Sequence, residues 1–287
     1  MRFAVVTLVL CACNQLYGLE PTEPLPIEPV FFDAPADAPF ACPPIGQTPQ
    51  FSRLFHQIPQ TCTEWTGSLI SGKALAMCFQ PTMQIGQGPV EGPLAPIAGF
   101  ETVNQVHFDA PRTLPDAEQV IIRRWDETTV FGEIRVYNRD ANDALTYSHE
   151  IKLPSAATDS FVRYGSPSRG PKRRMFVRQL SIPLTEIEVD ETGTSTQVAT
   201  YSETDLDVTS FAGLPPSMTG DGLRIVFSAA GPTMNGIFYS DRASLGDRFR
   251  AASLLMGVPS SSDAFMTDDC ERMYFSGLGS ILYVQQL

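Results

Sequence analysis

The chain has 287 residues, of which 43% are hydrophobic, enough to bury one large core, and all-β folds of this length are commonly single domains. A formal net charge of -12 and a pI near 4.7 exclude nucleic-acid binding as the principal function, because phosphate affinity rests on clustered Lys and Arg. The 24 prolines and 21 glycines, spread through a chain with few long Ala/Leu/Glu/Lys runs, favour turns and short strands over helices.

At the N-terminus, Met1 and Arg2 precede the apolar run Phe3 to Leu10, the charged start and short hydrophobic core of an export signal. The run is too short to cross a bilayer as a helix. Leu10-Cys11-Ala12-Cys13 follows and resembles the bacterial lipobox, with Leu three before and a small residue one before the modified cysteine. The resemblance implies that 1–12 is a cleaved signal peptide and that Cys13 carries the lipid anchoring the chain to a membrane. Cys11 fits less well, since bulky Leu10 would occupy its cleavage position. Asn14 in place of Asp implies, by the sorting rule of that family, the outer membrane, on its periplasmic or its cell-surface face. Residues 13–48 are acidic and Pro-rich, as in Glu20 to Pro29 and Asp33 to Pro39, and predict an extended tether because proline fixes φ and removes backbone donors.

Residues 49–287 predict one all-β domain. Five weak repeats, each a polar turn, a short apolar strand, a second turn and a second strand, recur at the four-strand blade length of a β-propeller. Their leading turns are at Ser71-Gly72, Asp116-Ala117, Gly170-Pro171, Gly222 and Cys270. The last two copies are clearest. In Gly220 to Gly231, Asp221-Gly222 signals a tight turn, and Ile225 and Phe227 alternate with Arg224 and Ser228 at the period of a half-buried strand. Ile237 to Tyr239 supplies its partner. Asp268 to Gly277 and Ser280 to Val284 repeat that order. The pattern Asp-Gly-x-Arg-apolar-x-Phe-Ser, followed by Ile-Phe-Tyr or Ile-Leu-Tyr-Val, resembles the TolB-type, WD40-like propeller repeat of secreted bacterial lipoproteins. It implies a propeller of about five blades, with Ile225, Phe227, Met273 and Phe275 buried between blades and Arg224 and Arg272 less so.

The fifth copy has room for only two or three strands. The segment Pro49 to Ile58, apolar at Phe51, Leu54, Phe55 and Ile58, is therefore expected to complete the last blade and close the ring, since an open edge invites pairing with another chain. Asp247 to Gly257 has the cap and composition of a short helix, but its place in the repeat predicts an outer strand.

Removing the signal leaves Cys42, Cys62, Cys78 and Cys270 beside Cys13, an even number in an oxidising compartment with three possible connectivities. If Leu69 to Gly72 turns the first hairpin, Cys62 and Cys78 lie nearly opposite each other, and Cys42 then pairs with Cys270. No Cys-x-x-Cys or close His spacing points to a metal, and no motif calls for a cofactor.

No nucleophile elbow or phosphate loop is present, and His56, His107 and His149 share no motif. The carboxylates Asp109, Asp159 and Asp263 precede strands and are candidates to face a central channel, while Asp116 and Asp221 fall in turns that explain them. Arg163 and the run Arg169 to Arg174, including Arg173 and Arg174, form the one basic cluster, a candidate for an anionic glycan or lipid headgroup. The sequence thus predicts a monomeric, lipid-anchored propeller that binds or scaffolds an envelope protein or glycan. The alternative is a glycan-active enzyme using channel-facing carboxylates.

Overall fold

A computed structural model describes residues 42–287 except 59, 69–71, 80–81, 115–118, 130, 155–161, 180–181, 262 and 278–279. Contacts divide the chain into 1–39 and 40–287, and all described residues belong to the second unit. That unit is a five-bladed β-propeller.

Blade one is an antiparallel sheet of β2 (Cys62–Ser68), β3 (Lys73–Phe79), β4 (Met83–Pro89) and β5 (Ala95–Glu101), ordered by sequence, as in a meander. Blade two repeats the order with β6 (Val106–Thr113), β7 (Gln119–Asp126), β8 (Phe131–Arg139) and β9 (Leu145–Glu150). Blade three uses β10 (Arg163–Tyr164), β11 (Arg173–Gln179), β12 (Ile182–Val189) and β13 (Ser195–Tyr201). In blade four the first position is split between β14 (Ser210–Phe211) and β15 (Ser217–Met218), both paired with β16 (Arg224–Ala230), followed by β17 (Asn235–Asp241) and β18 (Ser253–Leu254). The first strand of each blade is innermost: β2 meets β6 and β19, and β15 meets β19.

Blade five takes three strands from the C-terminus, β19 (Ala264–Met266), β20 (Arg272–Gly277) and β21 (Ser280–Gln285). Its fourth is β1 (His56–Ile58), which pairs His56 with Tyr283 and Ile58 with Ile281. Phe51 forms a further bridge to Gln286, and Leu287 N donates to Gln50 O at 2.9 Å. The ring is thus closed by the N-terminal segment, as its unpaired edge requires. Only part of the expected apolar alternation faces inward. Phe51 and Ile58 are buried, but Leu54 and Phe55 are about half exposed because the chain turns out before β1 begins.

Five apolar clusters fill the five seams between blades. In β16, Ile225 and Phe227 pack toward blade three while Val226 packs toward blade five. This corrects the half-buried alternation expected for that strand. A blade is covered on both faces, so Arg224 and Ser228 are buried too, and near-continuous apolar content replaces the period of two. Ile225, Phe227, Met273 and Phe275 are all at most 2% exposed, with Arg224 at 8%. Between Asp247 and Gly257 the chain forms the short outer strand β18 and no helix.

Two disulfides are formed, Cys62–Cys78 and Cys42–Cys270. The first joins residues directly opposite in the β2–β3 register. The second spans 228 positions and fixes the start of the described chain to blade five. Here Cys42 is helped by Pro43, whose carbonyl accepts from Arg224 Nη2 at 2.9 Å, and by Gly46, whose N–H donates to Asp241 at 2.6 Å. Residues 42–46, assigned by composition to the tether, are therefore held on the ring. Cys270 adopts φ 61°, the left-handed conformation that Gly222 (φ 72°) takes at the equivalent turn of blade four. A side chain there costs about 1–2 kcal/mol, offset by the bond to Cys42.

A candidate binding site at the centre of the ring

The innermost strands run parallel about the axis, so their N-terminal halves meet at one end of the ring, here called the entry end. Six charged side chains from four blades converge there: Glu64 of β2, Asp109 and Arg112 of β6 with Arg123 of β7 behind them, Arg163 of β10, and Asp263 just ahead of β19.

Two bulges place them. The β2–β3 register slips between Thr63 and Thr66, and the β6–β7 register slips between Asp109 and Arg112. In each, the first extra residue is left-handed, Glu64 at φ 55° and Ala110 at φ 49°. Such bulges re-aim side chains, and non-glycine residues in this region are held there by their surroundings. The restraint passes from blade to blade. Glu64 N donates to Asp263 Oδ2 at 2.7 Å, Ala110 N donates to Glu64 Oε2 at 2.6 Å, and Tyr164 Oη donates to Ala110 O at 2.7 Å.

Arg123 clamps Asp109 with two hydrogen bonds, Nε to Oδ1 at 2.6 Å and Nη2 to Oδ2, and its Nη1 reaches Val162 O at 3.1 Å. Asp263 also accepts from Ser276 N at 3.2 Å and Ser261 Oγ at 3.3 Å. Arg163 Nη1 lies 3.5 Å from Glu64 Oε1 and 3.8 Å from Asp109 Oδ2. Those two carboxyl oxygens are accordingly no more than about 7 Å apart. Burial, and then the charge of Asp109, pushes the Glu64 carboxyl above its ordinary value of 4.5. The side chains of Glu64 and Asp109 are nearly covered, whereas that of Arg163 is 38% exposed and opens the cluster to solvent.

Of the residues singled out in the sequence, Asp109 and Asp263 are brought together here, and Asp159 and Cys13 lie outside the described residues. The basic cluster is divided. Arg163 goes to the centre, whereas Arg169 pairs with Asp268 at 2.6 Å at the opposite end of the ring. Arg174 pairs with Glu188 at 2.8 Å and lies 3.5 Å from Glu186, and Arg173 opens the same strand, β11. Glu186 is itself bound by Arg242 at 2.8 Å, and both are 1% exposed, which makes this group a clasp within and between blades three and four. Glu64, Arg112 and Arg123 carried no sequence signal, because each is defined by a bulge or a partner in another blade. Trp65 stacks on Tyr274 at 3.5 Å between blades one and five, as a packing residue. The glycines Gly86 and Gly88 lie in β4, where a Cβ would meet Cys78 and Leu94 or Pro93, so they serve close packing and not a phosphate.

No family model matches the sequence, and no curated protein sequence matches it. Solved structures do match in fold. One belongs to work on the GH130 family of mannoside phosphorylases, described as containing glycoside hydrolases that target β-1,2-mannosidic linkages in Candida mannan. It superposes with a TM-score of 0.53 at 9% identity, over 86% of this chain and 96% of that one. A glycosyl hydrolase from Bacteroides ovatus superposes at 0.51 with 11% identity, over 88% of this chain and 92% of that one. TolB from Acinetobacter baumannii gives 0.40 at 12% identity, over 80% of this chain and 43% of that one, a looser likeness that adds nothing further. At these identities the likeness is one of fold.

Proposed function

We propose that the protein is a ligand-binding propeller of the bacterial envelope, held to the outer membrane by a lipid on Cys13, with its binding site at the entry end of the ring. The observation that carries the binding reading is the state of the charged centre. Its acids are engaged by structural donors, Asp109 by Arg123 and Asp263 by Glu64 N and Ser276 N, while Arg163 stands open to solvent. A pre-organised polar centre with one exposed cation suits recognition. Saccharides are the ligand class favoured by the fold's likeness to glycoside hydrolases. Titrating the full mature chain with a panel of oligosaccharides by calorimetry tests this. Saturable binding without turnover is expected, and no binding to any saccharide would remove the proposal. The anchor is tested apart from it: Cys13→Ser should move the protein from the detergent to the aqueous phase in detergent phase separation.

A second reading is hydrolysis of a glycosidic bond. It is favoured by Glu64, whose carboxyl is raised by burial, and a clamped Asp109 no more than about 7 Å from it, a spacing compatible with paired-carboxyl catalysis. Glu64 would act as the acid and Asp109 as the carboxylate partner. Reducing-sugar release that is lost in both Glu64→Gln and Asp109→Asn, with binding retained, would replace the binding reading by this one.

A further inference from the structure

We propose that the ligand taken at the centre of the ring carries a carboxylate, and that it is a uronic-acid-containing saccharide held by Arg163 and Arg112. The saccharide part rests on the binding function proposed above, whereas the carboxylate part follows from how the charges at the centre are matched.

Among the described residues, three guanidinium groups face three carboxyl groups, but they are not paired one to one. Arg123 is matched by Asp109. Asp263 is occupied by the Glu64 and Ser276 backbone amides and by Ser261, and Glu64 Oε2 by the Ala110 amide. Arg112, only 4% exposed, gives Nη1 to two backbone carbonyls, Pro111 O at 2.7 Å and Glu64 O at 3.4 Å. It has no carboxylate among its hydrogen-bond partners, and its Nε is a buried donor without an acceptor. Arg163 approaches its two carboxylates no closer than 3.5 Å, longer than the roughly 2.7–2.9 Å of a charge-assisted hydrogen bond. Two of the three guanidiniums are thus left without a hydrogen-bonded anion, and for Arg112, at 4% exposure, an unmatched charge is costly.

The open guanidinium selects the ligand. Arg163 stands at the solvent side of the cluster, 3.5 and 3.8 Å from the two carboxyl groups, and offers one cation to an incoming anion. A monoanion matches it. A phosphomonoester, carrying roughly -1.5 to -2 at neutral pH, would overshoot it beside two fixed aspartates. The planar fork of Arg163 fits a carboxylate with two parallel hydrogen bonds.

Calorimetry on the full mature chain with trigalacturonate, its fully methyl-esterified form, acetate and inorganic phosphate tests the proposal. The ester keeps the sugar rings and removes the charge, so it should bind about tenfold more weakly or worse, the loss expected for one charge-assisted hydrogen bond. Arg163 is well exposed, so Arg163→Gln should keep the native melting temperature yet bind acid and ester alike, and Arg163→Lys should retain part of the difference. Equal affinity of wild type for acid and ester overturns the carboxylate while leaving the saccharide site intact. Binding of phosphate or acetate as tight as that of trigalacturonate overturns the saccharide. Failure of every saccharide, charged or neutral, overturns this proposal together with the binding function it rests on.

Discussion

The two ends of the ring are built on opposite plans. At the exit end, where the innermost strands turn into their partners, blades four and five use the same local device. Thr219 Oγ1 donates to Asp221 Oδ1 at 2.6 Å and that oxygen accepts from Leu223 N at 2.9 Å; Thr267, Asp269 and Glu271 repeat this at 2.6 and 3.0 Å. Within this device every partner lies within a few residues along the chain, and the bonds of Arg169 and Gly220 N to Asp268 cross between blades beside it. At the entry end, Glu64 and Ala110 occupy the same bulge in successive blades, yet their sequences share nothing, and each is restrained by a different blade. A local requirement restricts which residue follows which, and so leaves a motif. A requirement met across the ring restricts only what is opposite.

The largest effect is expected where both plans depend on a third thing, the closure. Excising 50–58 removes β1 together with Phe51 and Ile58 and leaves β21 with an open edge. No cooperative unfolding transition should remain in denaturant, and a deleted chain that stays folded and monomeric would break the closure model.

Next come single residues that separate buried charge pairing from ordinary packing. Arg123→Met leaves Asp109 buried without its cation and should cost about 3–5 kcal/mol, as should Phe227→Ala in the seam of blades three and four. The two should differ in reach. In hydrogen exchange, Arg123→Met should loosen blades two and three together, since Arg123 also holds Val162, whereas Phe227→Ala should loosen the seam alone. Identical exchange patterns would mean that the central cluster is no more than another piece of core.

Much of the fold was legible. Strands β3, β7, β8, β11, β12, β16, β17, β20 and β21 are the apolar runs of the five repeats, because the two middle strands of a blade are buried on both faces. Outer strands such as β18, two residues long, leave no period to read, and the first strand of blade four is broken in two. Both disulfides followed from one hairpin register, which pairs Cys62 with Cys78 and leaves Cys42 for Cys270. Of the central site, Asp109 and Asp263 were legible as strand-entry carboxylates. Glu64 was not, since its meaning comes from the bulge that turns it toward Ala110 and the aspartate in blade five that holds its amide.

A smaller effect tests the local plan. Asp221→Ala and Asp269→Ala each remove the acceptor that organises one turn, at a cost of about 1 kcal/mol by urea denaturation. Gly220 N donates to Asp268 at 2.5 Å and so joins the two turns, which makes the double variant a measure of coupling across blades. Losses that add would show that the Asp221 and Asp269 devices act independently of that bond, and strong coupling would show that they act through it.

The subtlest test concerns Glu64, where the change lies in the shape of the stability profile. Its carboxyl is raised from 4.5 by burial and then by Asp109, so the folded chain holds that proton more tightly than the unfolded chain does. Stability from this source is complete below pH 4.5 and declines as pH rises through the folded value. Glu64→Gln keeps an oxygen able to accept from Ala110 N and removes the titration. The variant should therefore match wild type in acid and become the more stable of the two as pH rises toward neutrality, measured by urea unfolding at a series of pH values. A wild type that gains on the variant above pH 4.5 would mean that Glu64 is ionised in the fold and that Arg163 is its true partner. Arg163 would then be matched within the fold, and the preference for an anionic ligand would be gone.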